Sequence, residues 1–151
     1  PAMHASQSAA WLCLAAEALG GAQACLDRTV EYSKERVQFG RAIGSFQAYK
    51  HRAADMMIEI EQARSAVYWA ACAIDERSDD VKLALHAAKA FCADTFFKCA
   101  SDMIQLHGGI GFTWEHDAHL FFKRARSIQT LLLDGNWHRE QIATMLLGEA
   151  A

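Results

Sequence analysis

The chain has 151 residues, 52% of them hydrophobic and 22% charged, with a formal net charge of −3. That is the size of one domain with a real core, and the composition excludes wholesale disorder. A pI near 6.2 supplies no basic field for nucleic acid or an anionic membrane surface. No apolar run reads as the roughly 20 residues that a membrane span needs. The opening Pro1-Ala2-Met3-His4 lacks the basic flank and apolar stretch of a secretion signal. It also lacks an initiator Met, as a piece of a longer protein would. Five cysteines, Cys13, Cys25, Cys72, Cys92 and Cys99, stand at wide spacings among apolar residues, with no C-x-x-C and no zinc-like Cys/His spacing. They read as buried free thiols in a reducing compartment, the cytoplasm.

Glycine punctuates the chain, because the one proline is at the first position. The spacing predicts a first helix over residues 5–34, where Leu12, Ala15, Leu19, Ala22, Leu26 and Val30 recur every three or four residues. Gly40 and Gly44 bracket a turn. A second helix follows a Ser45 cap, with Phe46, Tyr49, Ala53, Met56, Ile60, Ala63, Val67, Ala70 and Ile74 on one stripe. The third opens at Ser78-Asp79-Asp80, acidic residues that suit a helix N-terminus. It carries Val81, Leu85, Ala88, Cys92, Thr95, Cys99, Met103 and Leu106. After a loop at Gly108, Gly109 and Gly111, a shorter helix runs from Thr113 or Glu115 to Leu133. A last one runs from an Asn136 cap, beyond a loop at Gly135, to Leu147. No alternating runs joined by a hairpin turn suggest strands. Long helices joined by short turns must pack antiparallel, so the expected fold is all-α, an antiparallel up-and-down helical bundle forming a single domain over residues 1–151. Trp11, Trp69, Phe91, Phe97, Phe121, Phe122 and Trp137 fall off the main stripes. They either wrap the bundle edges or face further partners, through self-association or a missing domain.

Three constellations could carry chemistry. In Glu35-Arg36-Val37-Gln38-Phe39-Gly40-Arg41-Ala42-Ile43-Gly44-Ser45-Phe46-Gln47, two arginines, two glutamines and aromatics sit on a glycine-hinged turn. Guanidinium forks match phosphate, and an aromatic edge can lie against a flat ring; a plain solvated turn reads the same. Gln105-Leu106-His107-Gly108-Gly109-Ile110-Gly111-Phe112 ends a helix at glycines that let a ligand approach the backbone, or that merely cap and turn. It is not a Rossmann phosphate loop, since no strand precedes it. Glu115-His116-Asp117-Ala118-His119 places two histidines three apart, which would share a helix face. Without Glu-x-x-His pairs on two helices, no metal is expected there. Nucleophile motifs are absent.

The first two loops together resemble the signatures of the acyl-CoA dehydrogenase C-terminal domain. Glu35-Arg36-Val37-Gln38-Phe39-Gly40 with Ile43-Gly44-Ser45-Phe46-Gln47 is similar to the family's helix-to-helix motif. Gln105 to Phe112, followed by Lys123-Arg124-Ala125-Arg126, is similar to its second. The resemblance runs from Ala15 to the end of the chain. It implies the C-terminal piece of a three-domain flavoprotein that oxidises an acyl-CoA thioester to the trans-2-enoyl form, with FAD taking the hydride and a carboxylate taking the α-proton. It implies that Arg36 forks onto the FAD pyrophosphate of a neighbouring subunit, that Gln38 makes a polar contact, and that Phe39 lies near the adenosine half. Gln47 would follow at the next helix start, and Gln105, Gly108 and Gly109 would meet the cofactor across a dimer interface. The implied partners are the acyl-CoA substrate, an electron-transfer acceptor, and further subunits in a homo- or hetero-oligomer.

The family's usual base is a Glu before the last helix, where this chain reads Leu131-Leu132-Leu133-Asp134-Gly135-Asn136-Trp137-His138. Asp134 is the catalytic candidate, once a residue or two is gapped; it reads equally as an acidic residue leading into the last helix. A branch of the family places the base on the first helix, near Ala10 here, which cannot act; Glu17 lies about two turns on. Three functions follow: the C-terminal domain of an active dehydrogenase, a partner subunit without its own base, or a ligand-free helical oligomerisation module.

Overall fold

The computed structural model describes residues 2–148, with side chains from residue 6 onward. Five α-helices dominate the described residues: α1 (Ala2–Glu35), α2 (Gln47–Glu76), α3 (Val81–His107), α4 (Ala118–Thr130) and α5 (Gly135–Leu147). The fold is the expected all-α bundle. Hydrogen bonds fix the directions of its helices. Tyr32 near the end of α1 and Tyr49 near the start of α2 donate to the carbonyls of His107 (3.4 Å) and Leu106 (3.2 Å). The end of α1, the start of α2 and the end of α3 therefore share one end of the bundle. Arg28–Asp117 and Arg124–Glu17 pair α4 with α1 in the opposite sense.

The caps differ from expectation. Ser45 does not cap α2: its Oγ donates to the Ala42 carbonyl inside a 3-10 turn over Ile43–Ser45, and Phe46 takes the cap position. Before α3, the Ser78 Oγ accepts from the Asp80 amide. The fourth helix begins only at Ala118, because a 3-10 turn over Gly108–Phe112 and further turns occupy the preceding glycine-rich stretch, and it ends at Thr130 rather than Leu133. Asp134, not Asn136, caps α5, its carboxylate accepting from the Trp137 amide at 2.9 Å. A short antiparallel pair, β1 (Val37–Gln38) with β2 (Arg41–Ala42), interrupts an otherwise helical chain.

Helix α3 touches each of the other four helices and is buried on almost every side, down to Leu85, Cys92, Cys99 and Met103. Against it, the small residues Ala15, Ala18 and Ala22 of α1 and Ala63 and Ala70 of α2 are wholly buried, so the helices approach closely. Cys25, Cys92 and Cys99 are buried, and that burial pushes their thiols up to about 12. Cys13 and Cys72 are exposed, contrary to the sequence reading. Of the off-stripe aromatics, Trp11 joins the core, while Phe97, Phe121, Phe122 and Trp137 pack half-buried against it and Trp69 and Phe91 stay exposed. The expectation that no segment is apolar and long enough to cross a membrane also fails for Ser6–Glu35, whose best window has a mean hydropathy of 1.3. This helix packs mainly on α3, and only 39% of that window is buried inside the fold.

Gly21 marks a close approach of α1 to α3. A Cβ there would lie 2.4–2.8 Å from the ring of buried Phe96. Gly21→Ala gains about 1 kcal/mol of helix propensity but overpacks this contact. The expected net result is a destabilisation of about 1–2 kcal/mol, read as a lower urea midpoint.

Candidate cofactor-binding end and Asp134 loop

Both loops singled out from the sequence meet at one end of the bundle. The first is a hairpin. Its two turn residues, Phe39 (φ 53°) and Gly40 (φ 76°), are both left-handed, the geometry of a two-residue type I′ connection. The Arg36 carbonyl accepts from the Ile43 amide at 2.8 Å and closes the ladder. Sequence reasoning missed these strands; the signal was an aromatic-glycine pair whose second residue permits φ > 0. A phenylalanine in that region is strained, and strain of this kind gathers at functional sites. The hairpin thrusts Phe39 into solvent, 92% exposed. Its ring edge meets Phe46, over whose face the Arg41 guanidinium lies at 3.9 Å. Arg36, Gln38 and Gln47 are all exposed here. Gly44 lets the chain return against α1, since a Cβ would sit 2.8 Å from Ser33 Oγ.

The second loop lies at the same bundle end, where Tyr32 and Tyr49 reach the last turn of α3. Tyr32 stacks on His107 at 4.4 Å, and His107 Nδ1 bonds to the Met103 carbonyl at 2.7 Å. Burial holds the His107 pKa below its ordinary value. Gly108 has φ 64°, and a Cβ on Gly108 or Gly109 would meet nothing within 4 Å. These two glycines therefore present open backbone beside exposed Gln105, whereas Gly111 packs inward on the Ile104 carbonyl. An exposed guanidinium, an exposed aromatic ring and bare glycine backbone at one end fit an anionic ligand carrying flat rings, as FAD does.

His116 and His119 do not share a helix face. His116 lies in the turn before α4, accepting from the Ala118 amide at 3.1 Å and packing on His107, while His119 is the second residue of the helix. Among the described residues no group of three His, Cys, Asp or Glu side chains is placed to hold a metal ion.

Asp134 is elsewhere. It follows Leu132 (φ 54°) and Leu133 (φ 79°), two left-handed leucines in a row. Trp11 Nε1 donates to the Leu132 carbonyl (3.0 Å), and the Lys89 ammonium donates to the carbonyls of Ile128 (2.9 Å) and Leu133 (3.2 Å). Beneath the loop, His86 and His138 share a hydrogen bond between their Nδ1 atoms at 2.8 Å, walled by Trp11 and Trp137. From Lys89 to Leu106, α3 rises about 25 Å, so Asp134 and Arg36 stand near opposite ends of that helix. Ala10 has no ionisable group. Glu17 is clamped by Arg124 through bonds of 2.6 and 2.7 Å, which hold its carboxyl below the ordinary range.

Known proteins carry the same fold. The family model for the acyl-CoA dehydrogenase C-terminal domain matches residues 8–147. Acyl-CoA dehydrogenase IpdE2 of Mycobacterium tuberculosis is 51% identical over 119 residues, covering 79% of this chain and 36% of that protein. Butyryl-CoA dehydrogenase of Megasphaera elsdenii superposes with a TM-score of 0.90 at 32% identity, over 93% of this chain and 37% of that one. PigA, solved with FAD and proline, superposes with a TM-score of 0.92 at 29% identity, over 97% of this chain and 38% of that one. The chain thus spans little more than a third of the length of these relatives. Its two loop signatures, its helical fold and this match over nearly its whole length place it in the acyl-CoA dehydrogenase family, as the C-terminal domain.

Proposed function

We propose that this chain is the C-terminal domain of an FAD-dependent acyl-CoA dehydrogenase that oxidises acyl-CoA to trans-2-enoyl-CoA and passes the electrons to an electron-transfer acceptor. The observation that carries the reading is the open Gly108–Gly109 backbone at the same bundle end as exposed Arg36 and Phe39. Arg36 binds the cofactor pyrophosphate through its fork, Phe39 lies against the adenosine half, and Gln38, Gln47 and Gln105 supply polar contacts. When bound, FAD accepts the hydride that leaves the substrate β-carbon. Asp134, about 25 Å along the bundle, takes the α-proton. That separation favours a homo- or hetero-oligomer in which Arg36 serves a neighbour's cofactor while Asp134 serves its own subunit. The exposed Phe39, Phe112 and Trp114 supply apolar surface for such an interface. The buried, unpaired thiols suit a reducing cytoplasm.

The test uses the full-length protein. Anaerobic addition of acyl-CoA should bleach its flavin absorbance, and an unreduced flavin overturns the reading. Arg36→Gln removes a charge-assisted contact worth about 1.5–3 kcal/mol. Its FAD dissociation constant should rise roughly 10- to 100-fold, measured by flavin fluorescence, while the fold keeps its melting temperature. One observation favours a second reading, a subunit whose base comes from a partner: the Asp134 carboxylate already caps α5.

A further inference from the structure

Lys89 is fully buried, yet both of its hydrogen bonds go to carbonyls, those of Ile128 and Leu133. Burial pulls its pKa below the ordinary value, while the nearby Asp94 and Asp134 charges work the other way. An ammonium taken out of water is costly to keep where an apolar chain would fill the space, so packing alone does not account for it. Its bonds fall at the end of α4 and on the second of the two left-handed leucines. Trp11, reaching across from α1, holds the first. The two donors thus grip consecutive carbonyls of a strained segment, and the next residue is Asp134. A backbone held in this conformation persists only where its surroundings over-determine it.

We propose that Lys89 and Trp11 are positioning residues for Asp134: from two different helices they lock the Leu132–Leu133 backbone into the left-handed turn that sets where the carboxylate stands. This rests on the reading of Asp134 as the base. Neither residue touches substrate; each acts through the loop carbonyl it holds. Catalytic geometry is sensitive at this level, since a displacement of about 1 Å can cost on the order of 100-fold in rate.

The test compares three variants of the full-length, FAD-loaded protein. Lys89→Met keeps the length and loses the donor. Trp11→Phe keeps an aromatic ring and loses the N–H. Met56→Ala opens a cavity in the core from α2, away from the loop. Both donor variants should lower kcat by about 10- to 100-fold with KM changed less than about threefold and FAD retained. Their amides over residues 131–137 should exchange at least about 10-fold faster, with or without FAD. Met56→Ala should lose stability but keep kcat and slow exchange in the loop. Parental kcat and parental loop exchange in the donor variants overturn the inference. Should Lys89→Met fail to fold, Trp11→Phe alone decides. If Asp134→Asn is inactive while Trp11→Phe turns over normally, the positioning role falls by itself. If Asp134→Asn remains active, the base assignment falls and this inference falls with it.

Discussion

Asp134→Asn in the full-length flavoprotein is expected to lower acyl-CoA turnover by roughly 10²–10⁴-fold, the usual share of a positioned acid-base group, while FAD stays bound. The substitution separates the proposed role as base from the capping role that the structure shows. Asp134 caps α5 by accepting from the Trp137 amide at 2.9 Å. Asparagine caps a helix about as well as aspartate, so the folded state should keep its stability to within a few tenths of a kcal/mol. Asp134→Ala loses both roles and should cost about 1 kcal/mol in addition to activity. Rapid-mixing measurements of flavin reduction by acyl-CoA, beside urea unfolding of the same variants, give both readouts. Near-normal turnover in Asp134→Asn would place the base in a partner subunit.

Acid should destabilise the fold through His138. Burial, followed by the charges of His86 and Lys89, lowers its pKa from 6.5 to about 4. Burial also lowers that of His86. Above pH 6.5 the His138 ring is neutral in both the folded and unfolded chain. Between about 6.5 and 4 the unfolded chain takes up the proton and the folded one does not, so stability is lost as pH falls through that window. The integrated loss is about 3 kcal/mol, and the lowered His86 and His107 add in the same direction. The Asp134 charge on the α5 side works against that lowering of His138, and Asp102, whose carboxyl burial raises farther along α3, contributes to stability in the opposite direction. Urea midpoints taken from pH 7.5 to 4.5 should slope downward, and His138→Phe should make the slope shallower. A flat profile in the parent protein would show that the pair is already solvated.

The stripes Leu12 to Val30, Tyr49 to Ile74 and Leu85 to Leu106 were legible in the sequence because amphipathic helices write their buried face at a spacing of three and four. Two separated glycine-bounded motifs in the right order likewise carried the family. The sequence by itself therefore determined the number and order of the long helices, the all-α bundle and the two glycine-bounded loops between helices. Tertiary structure decided what has no local period. Helix α3 is buried nearly all round, which a stripe of eight positions does not reveal, because burial comes from four neighbours at once. Phe39 and Gly40 turn left-handed because the ends of α1 and α2 must be joined at one face, and this makes a hairpin where propensity showed no strand. Asn136 and Ser45 are good caps by composition, yet Asp134 and Phe46 hold those positions, because the entry angle of each helix is set by the loop before it. The grip of Trp11 and Lys89 on Leu132 and Leu133 joins residues separated by 121 and 44 positions, and only packing brings those donors under that loop.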